Sequence, residues 1–420
     1  MIGTGYVGLS TAVGLAELGH HVVGADIDAA KVASLSAGQS PLAETGMSLG
    51  IVRNMEHGRL SFTTDVDGAV SGAAIVFLCL PTPQGDDGSA DLSYIESVTR
   101  RIGALLAPGA VVVNKSTVPV GGSHIVARWL GRSDVQVVSN PEFLRQGTAL
   151  ADFLNPTRIV VGGDDPAAVE KVAALYESVD APLLRMNAAS AEALKYAANS
   201  FLATKLTFIN AIADICELVG ADINDVVDGL GLDPRIGSEF LRPGPGWGGS
   251  CFPKDTRALV SIADSSGYDF ALLRGVIQTN DEQYERIAQK VVESCGGSVE
   301  GRTIASWGLT FKANTDDLRD SPAIAILSSL HQRGAHIRAY DPEARGTERL
   351  TWIERVDSAL DACDGADALA VLTEWPEFST IAPTDVSSRL VAPRVVDGRN
   401  VLDPSTWKNA GFEYRGVGRN

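Results

Sequence analysis

The chain has 420 residues, of which 45% are hydrophobic and 21% are charged, a composition typical of a globular protein with two or three domains. Its formal net charge of -17 argues against binding to nucleic acid or to an anionic membrane, because both depend on cationic side chains that neutralise phosphates. The sequence shows neither a membrane-spanning stretch nor the pattern of a signal peptide. Its five cysteines lack the spacing of a zinc site, so we expect a reducing, cytoplasmic location and no metal.

The first segment has the pattern of a dinucleotide-binding fold. Gly3, Gly5 and Gly8 have GxGxxG spacing, a helical pattern follows them, and the strand HVVGAD ends at Asp26. The glycines allow a tight turn and a close approach of the backbone to a pyrophosphate, which then lies at a helix N-terminus. Asp26 is placed to accept hydrogen bonds from the adenosine ribose and disfavours a 2′-phosphate, so we expect NAD rather than NADP. Lys31 either forms an ion pair with the cofactor or is a solvated charge on the surface of its helix.

The strand that should precede this glycine turn is short. Only Met1 and Ile2 stand before Gly3, whereas a strand usually has about five or six residues. We therefore expect that either the central strand is truncated or the true start of the protein lies upstream. A truncated strand would weaken NAD binding or folding.

Three later apolar runs predict parallel strands that are buried on both faces: AAIVFLCLPTP, GAVVVNKSTVPVG and VQVVSNPEFLRQG. Ligands of such sheets bind at the carboxyl ends of the strands. Thr82, Ser116, Thr117 and Glu142 stand at these ends, so we expect them at the cofactor crevice. For the three hydroxyl residues, capping of turns is the alternative.

A long helix is predicted from about Ser190 to Val219, in a stretch that is rich in Ala and Leu, lacks Pro and Gly, and has Glu192 in its first turn. Lys195 and Asn199 are four residues apart and share a face, and Asn210 lies within about 60° of that face. A helix this apolar is mostly buried, and buried polar side chains require partners. Those partners are either structural or part of a site.

The segment LDPRIGSEFLRPGPGWGGSCFPKDTRALV is dense in Gly and Pro, which predicts a binding loop without regular structure until about Thr256. Its glycines let backbone amides approach a ligand, and Arg235, Arg242 and Lys254 supply charge for a phosphate. In isolation, Cys251 fits an inert buried residue, but Lys254 and the amides favour its thiolate. Because hydride transfer needs no thiol, a reactive Cys251 indicates a second, covalent stage of chemistry.

The residues after 300 repeat the alternation of strands and helices. GRTIASWGLTFK, AHIRAYDPEA, ADALAVLTEW and RVVDGRN predict the strands of a second doubly wound α/β domain. This domain lacks GxGxxG, so we expect no second dinucleotide there. Lys312 and Arg399 follow strands, and we expect them to bind a nucleotide diphosphate. We expect Arg319 and Asp317 to form a structural ion pair.

Seven segments, in this order, resemble the UDP-glucose 6-dehydrogenase branch of the UDP-glucose/GDP-mannose dehydrogenase family: GTGYVGL, KSTVPVG, NPEFLRQG, AEALKYAANSFLATK, GGSCFPKD, GLTFKANTDDLRDSP and DGRN. The resemblance covers nearly the whole chain, and GGSCFPKD is its most specific motif. It implies an α/β fold in which two Rossmann-like doubly wound domains are joined by a long central helix that also builds a homodimer. The implied domains are an NAD-binding domain at 1–187, a central helical dimerisation and catalytic-cysteine domain at 188–298, and a UDP-binding domain at 299–420.

The resemblance also implies the reaction, which is oxidation of the C6 alcohol of a nucleotide sugar to the carboxylate, with two NAD+ reduced and no release of the aldehyde. In this reaction Cys251 is the nucleophile that forms a thiohemiacetal and then a thioester. Lys195 and Asn199 stabilise oxyanions, and Asp255 and Thr117 handle an ordered water and proton transfer.

The remaining implied positions are binding residues. The cofactor-binding positions are Gly3, Gly5, Tyr6, Val7, Gly8, Asp26, Lys31, Thr82, Thr117, Gln146 and Lys254. The substrate-binding positions are Glu142, Phe143, Leu144, Lys195, Asn199, Arg235, Phe240, Leu241, Gly248, Lys312 and Arg399. Arg235 is expected to cross the dimer interface to the neighbouring active site.

One implied position departs from the family. Glu142 matches the glutamate that acts as general base in hydrolysis, but Gln146 stands where many members have a second glutamate. An amide forms hydrogen bonds but cannot act as a base. If that second position performs base catalysis in relatives, this chain must rely on Glu142 or Asp255.

Three other functions compete with this interpretation. The same chemistry on GDP-mannose is the nearest, although the enzymes that use it tend to carry Leu after the cysteine, where this chain has Phe252. A one-step dehydrogenase of the hydroxyacid or 6-phosphogluconate type has no need of Cys251. A non-catalytic sensor that binds NAD and nucleotide sugars would be favoured by a degraded cysteine loop, and this loop is intact.

Overall fold

The computed structural model describes residues 1–85 and 88–419. Contacts divide the chain into two compact units, an N-terminal unit of Met1–Ala198 with Arg257–Tyr268 and a C-terminal unit of Asn199–Thr256 with Asp269–Asn420. The bounds of the three domains expected from the sequence stay a prediction. Within the described ranges, no helix has the length and apolarity needed to cross a membrane.

The N-terminal unit contains a sheet of short strands, which are connected by helices. Its strands are β1 (Val22–Ala25), β2 (Leu60–Thr63), β3 (Ile75–Leu78), β4 (Val111–Asn114), β5 (Gln136–Ser139), β6 (Ile159–Gly162) and β7 (Leu183–Met186). They form the groups β2-β1 and β3-β4-β5-β6-β7, in which neighbours pair in parallel except for β5 and β6. The residues of β3 to β6 are mostly apolar because helices cover both faces of such a sheet.

The short segment before the glycine turn takes the central position of this sheet. Ile2 bridges Ala25 of β1 and Leu78 of β3, both in parallel. Its N–H donates to the carbonyl oxygen of Phe77 (2.8 Å), and its own carbonyl accepts from the N–H of Cys79 (2.9 Å). The sheet order therefore reverses at this segment, which is where doubly wound folds bind their ligands.

Nine helices accompany or follow this sheet among the described residues up to 219. They are α1 (Tyr6–Glu17), α2 (Ala29–Ser36), α3 (Met47–Glu56), α4 (Val66–Val70), α5 (Ser93–Ile102), α6 (Gly122–Leu130), α7 (Ala149–Leu154), α8 (Pro166–Ala173) and α9 (Ala188–Val219). A 3-10 turn at Ala174–Tyr176 follows α8. The long helix predicted from the sequence is α9, and the division between the two units falls inside it.

Glu192 corrects one detail of that prediction. Because α9 begins at Ala188, Glu192 lies beyond its first turn. The carboxylate is 2% exposed and accepts hydrogen bonds from the N–H groups of Gly121 (2.6 Å) and Ser123 (2.8 Å). It therefore stabilises the first turn of α6 rather than the start of its own helix.

The C-terminal unit has a six-stranded parallel sheet in the order β10-β9-β8-β11-β12-β13. The strands are β8 (Thr303–Trp307), β9 (His336–Tyr340), β10 (Ile353–Arg355), β11 (Ala368–Val371), β12 (Arg394–Asp397) and β13 (Glu413–Arg415). The helices that follow α9 are α10 (Ile223–Gly231), α11 (Phe252–Ser265), α12 (Ala271–Ser294), α13 (Pro322–Gln332), α14 (Ala359–Cys363), α15 (Pro383–Ser387) and α16 (Pro404–Asn409). Short 3-10 turns lie at Thr347–Arg349 and Pro376–Thr380.

This strand order is that of the doubly wound fold, with the first strand, β8, in the centre. The predicted α/β fold class, two Rossmann-like doubly wound domains joined by a long helix, is confirmed. The ion pair predicted in the loop after β8 is also confirmed: Arg319 donates from Nε and Nη2 to the two carboxylate oxygens of Asp317, at 2.8 and 2.6 Å.

Candidate active site

The glycine turn between Ile2 and α1 has the geometry that its spacing predicts. Gly3 has a φ of +89°, and a Cβ at this position would lie 2.4 Å from the carbonyl oxygen of Cys79. A Cβ on Gly8 would lie 1.9 Å from the carbonyl oxygen of Gly3. Gly5 is exposed, and apart from Gly5 and its neighbours along the chain, no described residue has an atom within 4 Å of the place its Cβ would take. The turn therefore fits a pyrophosphate against the first amides of α1.

Asp26 directly follows β1 and is 9% exposed. Its Oδ2 accepts hydrogen bonds from the N–H (2.9 Å) and hydroxyl (2.8 Å) of Thr4 and from Lys31 Nζ (3.0 Å), and its Oδ1 accepts from the N–H of Asp28 (3.1 Å). Burial alone would raise the pKa of Asp26, but these hydrogen bonds hold it below its usual range. Lys31 thus pairs with Asp26 itself, and the fixed carboxylate suits ribose hydroxyls and repels a 2′-phosphate.

Replacing Asp26 with asparagine is expected to raise the KM for NAD+ about tenfold or more, because a hydrogen bond to a charged acceptor contributes roughly 1.5–3 kcal/mol. We expect kcat to change by less than a factor of three and the preference for NAD+ over NADP+ to shrink, since the repelling charge is gone. Initial rates with both cofactors measure this. An unchanged KM for NAD+ would contradict the assignment of Asp26.

Other predicted cofactor residues follow adjacent strands. Thr82 follows β3, Thr117 follows β4 and Gln146 follows β5, so they share the carboxyl edge of the sheet. The hydroxyl of Ser116 donates to the carbonyl oxygen of Leu80 (2.7 Å), in the segment that follows β3. Thr82 is buried, and the half-buried side chains among the predicted cofactor positions are Tyr6, Val7, Lys31, Thr117, Gln146 and Lys254.

A buried ion pair joins the end of β5 to α9. Lys195 Nζ lies 2.9 Å from Glu142 Oε1 and donates to the carbonyl oxygen of Glu142 (2.8 Å), and both side chains are 6% exposed. Glu142 Oε2 accepts from the N–H of Leu144 (2.7 Å). Burial alone would raise the pKa of Glu142, but the charge and hydrogen bond of Lys195 hold it below its usual range. The ring of Phe143 lies beside the pair, with its centroid 5.5 Å from Lys195 Nζ and 3.8 Å from the guanidinium carbon of Arg158.

Cys251 immediately precedes α11, so the prediction of irregular structure up to residue 256 is wrong. Pro253 is compatible with the helix because a proline in the first turn lacks only an N–H that has no helical partner there. The N–H of Asp255 donates to the carbonyl oxygen of Cys251 (2.9 Å) and closes this turn. The Cys251 side chain is half-buried, with its Sγ 3.6 Å from Ser250 Oγ. A thiol at the N-terminal end of a helix is in a position that favours the thiolate.

A buried carboxylate lies four residues after the thiol. Asp255 is 1% exposed, pairs with Lys254 and accepts a hydrogen bond from Asn199 Nδ2 (2.6 Å). Asn210, the third polar residue predicted on the same face of α9, accepts from the N–H of Gly244 (2.8 Å). Each member of the predicted polar face therefore has a polar partner, as buried side chains require.

The glycines before Cys251 pack on the loop that follows β8. A Cβ on Gly248 would lie 1.9 Å from the carbonyl oxygen of Asp320, and a Cβ on Gly249, whose φ is +80°, would lie 2.8 Å from the ring of Phe311. Neither position has room for a side chain. The cysteine segment is therefore held by close backbone packing.

The two cations predicted to bind the nucleotide diphosphate are Arg399 and Lys312. They lie on two loops that side-chain contacts link to each other. Arg399 follows β12, donates from Nη2 to the carbonyl oxygen of Phe311, and places its Nε 3.1 Å from Glu374 Oε2. Glu374 Oε1 accepts from the N–H of Ala313 (3.2 Å). Glu374 thus ties Arg399 to the loop that carries Lys312.

The remaining predicted substrate residues lie between α10 and Cys251. Leu241 is buried, and Phe240 is half-buried with a φ of +60°, which is unusual for a residue other than glycine. The ring of Phe240 lies 6.3 Å from that of Phe252. Arg235 is exposed and donates from Nε (3.0 Å) and Nη2 (2.6 Å) to the carboxylate of Asp233.

Sequence reasoning missed two polar residues near the predicted ones, Glu374 and Lys115. Lys115 is 5% exposed and stands one residue after β4. Lys115 is the first residue of KSTVPVG, one of the segments that carry the resemblance, and this membership was the signal that could have drawn attention to it. A single Glu after a strand carries no distinguishing pattern, so no such signal existed for Glu374. Among the residues that the structure describes, no cluster of three or more His, Cys, Asp or Glu could hold a metal ion.

Three family models match the chain in succession. They describe the NAD binding domain (residues 1–180), the central domain (residues 189–282) and the UDP binding domain (residues 305–404) of the UDP-glucose/GDP-mannose dehydrogenase family. The first model covers the glycine turn and Asp26, the second covers Cys251, and the third covers Lys312 and Arg399.

Curated relatives match over the whole of this chain. UDP-glucose 6-dehydrogenase TuaD of Bacillus subtilis is 44% identical, with 100% of this chain and 92% of the relative covered. UDP-glucose 6-dehydrogenase of Rhizobium meliloti is 45% identical, with 100% and 99% covered. The structure of a UDP-glucose dehydrogenase from Pyrobaculum islandicum has a TM-score of 0.91 at 37% identity, with 100% and 97% covered. The chain belongs to the UDP-glucose/GDP-mannose dehydrogenase family and is an NAD-dependent nucleotide-sugar dehydrogenase.

Proposed function

We propose that the chain oxidises UDP-glucose at C6 to UDP-glucuronate through covalent intermediates on Cys251, with two NAD+ reduced for each sugar. The observation that carries the proposal is the setting of Cys251, a half-buried thiol at the start of α11 with the buried carboxylate of Asp255 one turn later. The names of the full-length relatives support UDP-glucose as the substrate. A thiol that must stay reduced suits the cytoplasm, where we place the enzyme.

NAD+, when bound at the glycine turn and Asp26, supplies the hydride-accepting chemistry of both oxidations. The first oxidation turns the C6 alcohol into an aldehyde, and its hydroxyl proton passes through an ordered water held by Thr117 to Asp255. Cys251 Sγ then bonds to C6, and the former carbonyl oxygen carries the negative charge until it is protonated. Lys195 and Asn199 donate hydrogen bonds to this oxygen.

Hydrolysis completes the reaction. The second oxidation of C6 leaves a thioester, and Glu142 takes a proton from the water whose oxygen attacks the thioester carbon. The carbon–sulfur bond breaks, Cys251 leaves as the thiolate, and the sugar is released as the carboxylate. The lowered pKa of Glu142 keeps this base ionised at neutral pH. Lys312 and Arg399 bind the diphosphate, and Phe240, Leu241 and Gly248 line the path of the sugar.

A spectrophotometric assay with limiting nucleotide sugar tests the proposal. We expect two NADH for each UDP-glucose and slower turnover of GDP-mannose, UDP-N-acetylglucosamine and UDP-N-acetylmannosamine. A higher kcat/KM for GDP-mannose would replace the substrate but keep the mechanism. One NADH for each sugar together with free aldehyde would contradict the covalent mechanism.

We also propose that α9 builds a homodimer. Phe201, Phe208 and Ile215 follow one another at intervals of seven residues along α9 and are 65%, 53% and 51% exposed. A stripe of large apolar side chains with this spacing is the pattern of a helix that packs against another helix. In such a dimer, we expect Arg235 to reach the substrate of the neighbouring subunit.

Replacing both Phe201 and Phe208 with glutamate is expected to convert the dimer to monomers at micromolar concentration, because four charges would face an apolar interface. Sedimentation velocity measures the change. Val391→Glu is the control, since Val391 is 68% exposed but lies outside α9. A wild-type monomer, or an unchanged dimer in the double variant, would contradict the assignment of this face.

A further inference from the structure

Lys115 is a buried cation to which neither the motifs nor the proposed mechanism assigns a role. It stands directly after β4, between β3 and β5, and its N–H donates to the carbonyl oxygen of Leu78 (3.1 Å). The side chain is 5% exposed, and Nζ donates to Asn140 Oδ1 (3.0 Å). A buried ammonium bound to a neutral amide oxygen is costly, because its charge is taken out of water without an opposite charge in direct contact.

Asn140 has hydrogen-bond partners other than this lysine. Its Oδ1 also accepts a hydrogen bond from the hydroxyl of Tyr176 (2.7 Å), and its Nδ2 donates to the carbonyl oxygen of Val160 (2.7 Å). Its N–H donates to the carbonyl oxygen of Asn114 (3.0 Å). The fold therefore does not need the Lys115 ammonium as an anchor for Asn140.

Three titratable groups face Lys115 from the surrounding elements: Cys79 after β3, Glu142 after β5 and Lys195 on α9. A fourth, Tyr176 after α8, donates to the same acceptor as Lys115, Asn140 Oδ1. Burial lowers the pKa of Lys115 to about 8, and the neighbouring Glu142 counteracts this only in part. Burial raises the pKa of Cys79 to about 12 and also raises that of Tyr176, so both are neutral. At neutral pH the cluster holds two cations and the Glu142 carboxylate, and the charge of Lys115 is one of the causes that lower the pKa of Glu142, after Lys195.

We propose that Lys115 is a positioning residue for thioester hydrolysis: its ammonium, bound to Asn140 two residues before Glu142, adds to the ammonium of Lys195 in stabilising the Glu142 carboxylate. The inference rests on the proposed role of Glu142 as the base. It accounts for a buried charge at a position where an apolar side chain would avoid the cost of desolvation.

Thermal unfolding of Lys115→Met gives the first test, and it needs no turnover. We expect a Tm equal to or a few degrees above that of the wild type below pH 8. The pKa of this lysine is lowered by folding, so the unfolded chain binds the proton more tightly and the wild type is penalised while the group is charged. The advantage of the variant should therefore disappear as the pH rises from about 8 to about 10.

Steady-state kinetics gives the second test, with Lys115→Met, Lys115→Gln and Lys115→Arg. Glutamine keeps a donor for Asn140 without the charge, and arginine keeps the charge. We expect both neutral variants to lower kcat about tenfold or more while the KM for UDP-glucose stays within a factor of three. The acid limb of the kcat profile should move to higher pH by up to about one unit, because Glu142 loses a neighbouring cation. Lys115→Arg should restore the position of this limb.

Rapid quench and intact mass measurement complete the design, since slower hydrolysis should raise the fraction of enzyme that carries the acyl adduct. Neutral variants that melt lower than the wild type but keep its turnover and pH profile would overturn the proposal and make Lys115 a structural residue. Full activity in Lys115→Gln would likewise overturn it, because the charge would not matter. A wild type that forms no NADH from any of the four nucleotide sugars would contradict the proposed function itself, and the role of Lys115 with it.

Discussion

Replacing Cys251 with serine is expected to lower kcat by about a thousandfold or more and to stop formation of the carboxylate. Removing the nucleophile of an enzyme that works by covalent catalysis has effects of this size or larger. Serine has nearly the shape of cysteine, and the side chain is half-buried at the start of α11, so the fold should be unaffected. Its hydroxyl stays protonated at neutral pH, whereas the thiolate is the reactive form of cysteine.

Product analysis and intact mass measurement distinguish this effect from a general loss of activity. In the wild type, NADH and carboxylate should form in a ratio of two to one, and quenched samples should contain enzyme with an acyl adduct. Cys251→Ser should show neither the adduct nor the carboxylate. Unchanged turnover in this variant would contradict the covalent mechanism.

The other cysteines provide matched controls. Burial raises the pKa of Cys79 and Cys363 to about 12 and also raises that of Cys295, so these thiols should not react with iodoacetamide at neutral pH. Modification should occur at Cys251 and inactivate the enzyme in proportion. Cys363→Ala should retain wild-type turnover, since Cys363 lies within the buried core around α14. Inactivation that accompanies modification of another cysteine would contradict the assignment.

Local patterns explain which elements could be predicted from the sequence. The glycine turn, α9 and the four longer strands of the C-terminal sheet each carry a spacing or an apolar run within one stretch of chain. β10 and β13 do not, because each has three residues, two of them charged at Glu354 and Arg355 and at Glu413 and Arg415. The start of α11 was missed because Pro253 indicates a break in most positions but is tolerated in a first helical turn.

The contacts within the site could not be predicted from the sequence, because they join residues that are far apart along the chain. Motif order identified Asn199 and Asp255 separately, but their hydrogen bond joins residues 56 positions apart and depends on how α9 and α11 pack. The same holds for Glu374, which lies 61 positions from Ala313, and for Lys115, whose partner is 25 positions away. Burial decides the chemistry of these groups, and a single polar residue in a sequence carries no information about its burial.

Replacing Lys195 with methionine is expected to destabilise the protein by about 3–5 kcal/mol, besides impairing catalysis. The ion pair with Glu142 is buried, with both side chains 6% exposed, and replacing Lys195 removes the opposite charge that is in direct contact with this carboxylate. Among the residues that the structure describes, the N–H of Leu144 would then be the hydrogen-bond donor left to that carboxylate, and an amide compensates a charge only in part. Denaturant unfolding at pH 7 measures the change.

The pH dependence of stability shows whether the ionised Glu142 carboxylate stabilises the folded protein. Folding lowers the pKa of Glu142, so its contribution is present above its ordinary pKa of about 4.3 and is lost as the pH falls through the lower folded value. The wild type should therefore lose its advantage over Glu142→Gln only below about pH 4. A gap between the two proteins that stays constant down to pH 2 would contradict this assignment.

A double-mutant cycle separates the pair from its surroundings. Lys195→Met combined with Glu142→Gln should lower the free energy of unfolding by less than the sum of the two single changes. The second substitution removes the buried charge that the first leaves without its ion-pair partner. The exposed pair of Arg100 and Glu96 on α5, whose side chains are 59% and 40% exposed, is the matched control. Arg100→Met should cost no more than about 0.5 kcal/mol, since solvent screens such a pair. If Lys195→Met cost no more than this control, the buried pair could not be what holds the end of β5 against α9.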